Sequence, residues 1–183
     1  LFTGSEGFVE FLKSVLITHG AALLCLHHGR KVEFHLGVRE MFLLTTSVWV
    51  VACIFGALPF FFINHIDFTD AYFETMSGVT TTGSTVLSGL DGMAHSILLW
   101  RSILQWLGGV GFIVMAVAVL PYLNVGGMKL FQTESSDWSD KSAPRAKTVA
   151  NNIVVVYLVL SMLCALAYWV SGMTLFEAVN PAM

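Results

Sequence analysis

Three stretches of this chain, Met41 to Ile63, Ser102 to Met128 and Thr148 to Phe176, contain no charged residue. About 20 apolar residues suffice to cross the hydrocarbon of a bilayer as a helix, and within that layer each backbone N–H and C=O must be satisfied inside the segment. Spanning helices are therefore expected over 41–63, 97–120 and 149–171, with Pro121 ending the second near Leu120. A fourth, weaker span runs from Phe8 to about Leu26. Its two charges, Glu10 and Lys13, are spaced to pair across one turn or to sit at the interface. Composition agrees: 11% of residues are charged, against roughly 25% in soluble domains, and mean hydropathy is +0.76. The expected fold class is an all-α membrane protein.

The basic residues set the topology. Arg30, Lys31 and Arg39 fall between His27 and Glu40, and Lys129, Lys141, Arg145 and Lys147 between Pro121 and Lys147. Lys/Arg-rich connections stay in the cytoplasm, so these two segments face inward and Asn64 to His95 faces outward. The chain is then expected to cross its membrane several times. No basic cluster points to nucleic acid. Cys25, Cys53 and Cys164 each lie in an apolar run and read as small packing residues rather than a disulfide framework. His27, His28 and His35 belong to the first inward segment, and the six histidines show no metal-ligand spacing. The start at Leu1 lacks a Met and a basic n-region, so no signal peptide is expected there and the start reads as a cut rather than a natural terminus.

Between the first two strong spans, 32 residues must leave the outer surface and return to it. Asp70 to Val79 is expected to be a short helix with Thr69 or Asp70 as its N-cap. At 1.5 Å per residue it reaches about 15 Å, roughly half the hydrocarbon depth. Gly78 and the run Thr80-Thr81-Thr82-Gly83-Ser84 then carry the chain back. Irregular backbone at membrane depth is tolerated where it is buried in protein or lines a water-filled path. Carbonyl and hydroxyl oxygens along such a path can replace the hydration shell of a cation, which makes Thr80 to Ser84 a candidate ion filter. Helix, half-helix, extended return and helix is the arrangement of a re-entrant pore loop. Phe73-Glu74-Thr75-Met76-Ser77 is echoed by Phe176-Glu177-Ala178-Val179-Asn180, again after an apolar helix and a polar turn. Thr174 and Glu177 have capping-box spacing, placing a second half-helix from 174. Repeats of this kind point to a site on the axis relating them.

These residues resemble a known family. Ala57-Leu58-Pro59-Phe60, Phe73-Glu74, Ser77-Gly78 and Thr80-Thr81-Thr82-Gly83 look like the first pore repeat of the Trk/Ktr/HKT potassium transporters. So do Leu104-Gln105-Trp106-Leu107-Gly108-Gly109 with Gly111, Leu120-Pro121 and Val125-Gly126-Gly127-Met128. The likeness is strongest to bacterial Trk-system uptake proteins of the TrkH/TrkG type and covers nearly all the chain from residue 36. It implies a potassium channel folded into one chain, in which helix–pore loop–helix repeats surround one ion path and each supplies one filter segment. On that basis the chain is an N-terminal fragment holding one complete repeat and the start of a second. Residues 1–35 form an N-terminal helix and cytoplasmic loop, and 36–125 the first pore repeat with half-helix 70–79 and filter 80–84. Residues 126–147 form a cytoplasmic connection, and 148–183 the truncated second repeat.

By resemblance, the carbonyls of Thr81, Thr82 and Gly83 line the filter with Thr80 and Ser84 at its ends, and potassium sits at Thr81 and Thr82. Gly83 supplies backbone freedom that other residues lack, although a Thr-rich helix C-cap with Gly83 as stop reads equally well from the residues alone. Asp67, Asp70 and Asp91 can concentrate cations at a mouth or serve as ordinary loop charges. Glu74 lies inside the half-helix, where an unpaired carboxylate is costly. Its expected partner is Arg101, which otherwise serves backbone carbonyls behind the filter or snorkels to the interface. Gly108, Gly109 and Gly111 allow close helix packing or a gating bend. Trp100 and Trp106 read as interfacial or packing aromatics. The resemblance further implies potassium as substrate, no covalently bound cofactor, a homodimer in the full-length protein, and a cytoplasmic nucleotide-binding regulatory subunit for which 121–147 offers a docking segment.

The membrane potential is one expected driving force, with coupling to protons or sodium left open. Two rival classes remain: a self-assembling pore subunit or sodium-permeable transporter, and a membrane enzyme. The enzyme would need Ser77, Ser84 or Ser88 to meet His65 or His95, and no Gly-x-Ser-x-Gly elbow supports it.

Overall fold

The computed structural model describes residues 7–29, 37–119 and 142–183, and all regular structure among them is helical. The helices are α1 (Phe8–Gly29), α2 (Val38–Gly56), α3 (Leu58–Asn64), α4 (Phe68–Val79), α5 (His95–Val119), α6 (Ser142–Val170) and α7 (Leu175–Ala182), with one 3-10 turn at Leu90–Gly92. The chain divides into two compact units, Leu1–Gln105 and Trp106–Met183, so α5 contributes to both. Four segments are long and apolar enough to cross a membrane: Phe8–Gly29, Phe42–Asn64, His95–Met115 and Ala150–Val170.

The boundaries differ from the sequence expectations in instructive places. The span 41–63 is interrupted at Ala57, because Pro59 enters the first turn of α3 and cannot continue a hydrogen-bond ladder from α2. The carbonyl of Gly56 beside this break accepts the indole N–H of Trp100 on α5 at 3.0 Å. Helix α4 begins at Phe68 rather than 70. Its N-cap is Asp67, not Thr69 or Asp70, and the Asp67 side chain makes no capping bond. Helix α5 starts two residues before 97, and α6 starts at Ser142, inside the 126–147 connection. An early start is open to α6 because Pro144 falls in its first turn, where a missing N–H costs nothing. The expected helix end at Leu120, and most of the 121–147 connection, lie outside the described residues.

In the first unit α4 is held between the α2–α3 pair and α5. Cys53, Ala57 and Phe60 from one side, Ala71 and Val79 of α4, and Leu87, Ile97 and Leu104 from the other form its core. The approach of α2 to α4 is close: a Cβ on Gly56 would stand 2.8 Å from Thr75 Cγ2. Small residues at such crossings let backbones approach where lipid removes the hydrophobic driving force. Helix α1 carries the Glu10–Lys13 pair at 3.8 Å and sets Phe11 edge-on to Trp100, with ring centres 5.8 Å apart. In the second unit Trp106 donates to Ser161 Oγ at 2.9 Å and meets the Tyr157 ring at a 58° tilt, with ring centres 5.6 Å apart. Large apolar side chains along α6, among them Val155, Val156, Leu160 and Leu163, are exposed.

Candidate ion-coordinating segment

Helix α4 turns one face inward. Ala71, Glu74, Thr75, Gly78 and Val79 are buried at helical spacing, while Asp67 and Asp70 stay exposed. At its C-terminus the chain folds back on the last turn. Thr80 N–H donates to Met76 O, Thr81 N–H to Gly78 O, and the amides of Thr82 and Gly83 both turn toward Ser77 O, at 3.0 and 3.4 Å. This reversal needs left-handed backbone twice, at Thr81 (φ 57°) and Gly83 (φ 77°). For Gly83 that conformation is free of strain. For a β-branched threonine it is an outlier of the kind that persists only when surrounding structure enforces it.

From Thr82 to Gly89 the backbone has no regular structure, and Thr80 to Val86 are all exposed. The amides of the first residues point at the helix end, so their carbonyls are left on the other side of the segment. The C-terminal end of α4 adds the negative pole of its dipole, which favours a cation nearby. Thr80 Oγ1 donates to Met76 O at 2.8 Å and also lies 2.9 Å from Thr82 Oγ1.

Behind the segment sits one carboxylate. Glu74 is fully buried and has three donors: Arg101 Nε to Oε1 at 2.5 Å, and Thr85 Oγ1 and Val86 N–H to Oε2 at 2.9 and 3.1 Å. Arg101, with its side chain 18% exposed, also donates from Nη2 to Gly83 O at 3.3 Å. The two partners considered for Arg101, a carboxylate and a backbone carbonyl, are thus engaged together. Ser77 Oγ donates to Ser84 O at 2.6 Å. A buried carboxylate is tolerable on these terms, with its charge paired and its lone pairs occupied.

Sequence reasoning did not find Thr85, the hydroxyl role of Ser77, or the Trp100–Gly56 link. None follows from periodicity, since Thr85 lies in irregular chain and reaches Glu74 across 11 positions. The hydroxyl pattern Ser77, Thr80, Thr82 and Thr85 was the available signal. Helix α5 runs unbroken through Gly108, Gly109 and Gly111, of which Gly108 is buried and the other two half-buried. Cys53 is buried, whereas Cys25 and Cys164 are exposed. Among the described residues no group of three His, Cys, Asp or Glu side chains could hold a metal ion.

The family model described as TrkH, cation transport protein, matches residues 8–183. The chain belongs to that family. The Trk system potassium uptake protein TrkI of Halomonas elongata is 43% identical over 176 residues, covering 96% of this chain and 36% of the relative. The Trk system potassium uptake protein TrkH of Escherichia coli is 46% identical over 156 residues, covering 83% and 32%. The crystal structure of the potassium transporter TrkH from Vibrio parahaemolyticus superposes with a TM-score of 0.83 at 36% identity, covering 99% of this chain and 36% of that one. The chain therefore spans about a third of the length of the relatives it matches. Together with the four apolar spans, the match makes this TrkH-family chain part of a multi-pass inner-membrane protein, and its relatives are transporters rather than enzymes.

Proposed function

We propose that this chain is part of a potassium uptake transporter and supplies one segment of its selectivity filter, Thr80 to Ser84, at the mouth of a re-entrant loop formed by α4 and the return chain. Relatives covering nearly all of it are named potassium uptake proteins. The observation that carries the reading is the chain reversal after α4. It turns the amides of Thr80 to Gly83 toward the helix end, leaving oxygens for a hard cation on the side away from it. Potassium is bound at Thr81 and Thr82. Glu74 and Arg101 support the segment from behind, as a neutral pair that neither attracts the ion away nor repels it. Gly108, Gly109 and Gly111 serve helix packing or a bend in α5. The full-length protein works as a homodimer with a cytoplasmic nucleotide-binding subunit, and the membrane potential drives uptake at about 2.3 kcal/mol per charge per 100 mV.

Uptake in potassium-starved cells by the full-length protein tests this. At Gly83 a Cβ finds only Gln105 Nε2 at 3.8 Å, so Gly83→Ala acts through backbone strain of about 1–2 kcal/mol and weakens uptake. Gly83→Asp adds a charge at the filter and abolishes uptake. Normal uptake by Gly83→Asp would overturn the filter assignment.

A further inference from the structure

Two consecutive residues in the second turn of α5 bond to other helices of the first unit. Trp100 donates its indole N–H to Gly56 O at 3.0 Å, and Arg101 donates to Glu74 of α4 and to Gly83 O. Gly56 is the last residue of α2, so its carbonyl has no partner inside that helix. Three helices meet at this glycine: a Cβ on it would stand 2.8 Å from Thr75 Cγ2 of α4 and 3.3 Å from Leu104 Cδ2 of α5. Gly56 and Thr75 are buried and Trp100 is half-buried. Phe11 of α1 meets the Trp100 ring edge-on, with ring centres 5.8 Å apart, an arrangement that aromatic pairs prefer. Further along α4, a Cβ on Gly78 would lie 3.4 Å from Leu104 Cβ and 3.8 Å from Arg101 O, so the backbone of α5 passes close to the end of α4.

We infer that Trp100 is a positioning residue for ion selection: its bond to Gly56 fixes the rotation of α5 and so sets where Arg101 holds the segment Thr80 to Ser84. The inference rests on the filter reading and extends the support of that segment out to α2 and α1. Successive side chains on a helix point about 100° apart. One bond therefore leaves α5 able to pivot, whereas two in different directions do not. Without the indole bond, α5 turns about the Arg101–Glu74 pair and carries the guanidinium with it. Discrimination between cations depends on the number and field strength of the filter oxygens, which a displaced segment alters. Phe11 acts one step further out, by keeping the Trp100 ring in the orientation that reaches Gly56.

The test compares wild type, Trp100→Phe and Trp106→Phe in the full-length protein, reading KM for potassium and the potassium-to-sodium uptake ratio at equal membrane abundance. Trp100→Phe keeps an aromatic ring against Phe11 and removes the donor to Gly56. It is expected to raise KM or lower the ratio by about fivefold, the fold-change equivalent to one ordinary hydrogen bond. Trp106→Phe removes the same kind of donor from α5, there bonded to Ser161 Oγ, and leaves both readouts at wild-type values. Wild-type KM and ratio in Trp100→Phe, with only abundance or maximal rate reduced, would make Trp100 a packing residue and overturn the inference, and so would an equal shift in Trp106→Phe. If Trp100→Phe fails to reach the membrane, Phe11→Leu decides on the same two readouts: a smaller shift in the same direction supports the inference, and unchanged values overturn it. The filter reading fails separately, through a wild type that takes up no potassium or a Gly83→Asp that transports normally.

Discussion

Helices α4 and α7 carry the same Phe-Glu pair, at Phe73-Glu74 and Phe176-Glu177, and put the glutamate to opposite uses. In α4 it lies six positions after the first helical residue, Phe68, and in α7 only two after Leu175. One turn of difference decides the outcome. Near the start of α7, Glu177 reaches back to the Thr174 N–H at 3.0 Å while its own amide bonds Thr174 Oγ1, a complete capping box. Two turns into α4, Glu74 has no free amides to cap and instead braces the return chain with Arg101. The helix starts differ in kind too. Asp67 makes no side-chain cap, so α4 is positioned by its packing against α2, α3 and α5, whereas α7 starts on a signal written in its own sequence.

Breaking the two glutamates separates these roles. Glu74→Ala strands Arg101 in a largely buried site and is expected to cost the full-length protein about 3–5 kcal/mol, read as a lower thermal midpoint in detergent. Glu177→Ala removes half of an exposed cap and leaves the midpoint close to wild type. An equal drop in both would mean that Glu74 is no more than a surface residue.

Next in size is the seat of α4. Gly56→Ala places a methyl 2.8 Å from Thr75 Cγ2 and is expected to cost about 1–3 kcal/mol by overpacking, again read from the midpoint. Thr174→Ala, the matching change at the start of α7, costs about 1 kcal/mol of local helix stability, visible as faster amide exchange at Glu177 and Ala178.

Two smaller effects sharpen the contrast. Thr81→Asn relieves a left-handed β-branched residue with one that tolerates that conformation, so the midpoint holds or rises by up to about 1 kcal/mol equivalent. Ion discrimination should fall in the same variant if the strain serves the filter. Hydrogen bonds from the Thr174 side chain and backbone hold the Glu177 carboxyl below its usual range. A depressed carboxylate contributes stability above its unfolded value and loses it as pH falls through the folded one. The α7 cap is therefore intact at neutral pH and fades only below the ordinary carboxylate range, which the carboxyl carbon shift of Glu177 on acid titration would report.

Much of the fold was legible because bilayer length and charge exclusion act on long runs of residues. The apolar stretches around 41–63, 97–120 and 149–171 announce helices whatever their neighbours do. The cap of α7 was legible for the opposite reason, being complete within four residues. Apart from the Glu74–Arg101 pair, which the cost of an unpaired carboxylate inside the half-helix foretold, what escaped were contacts that depend on two elements at once. Pro59 was visible, but whether it ends a span or only interrupts one turns on α3 resuming behind it, with Trp100 satisfying Gly56. Asp70 looked like a cap, yet Asp67 holds that place because packing starts α4 at Phe68.

The sequence by itself determined the membrane class, the helical elements and the position of the hydroxyl-rich stretch, since each follows from local composition and short-range hydrogen bonding. Only the tertiary structure decided how that stretch is tied back to its helices. Those ties depend on Arg101 and Glu74 meeting across 27 positions and on Ser77 reaching Ser84. A hydrogen bond between distant residues leaves no period in the chain, because its geometry exists only once α4 is seated against α5.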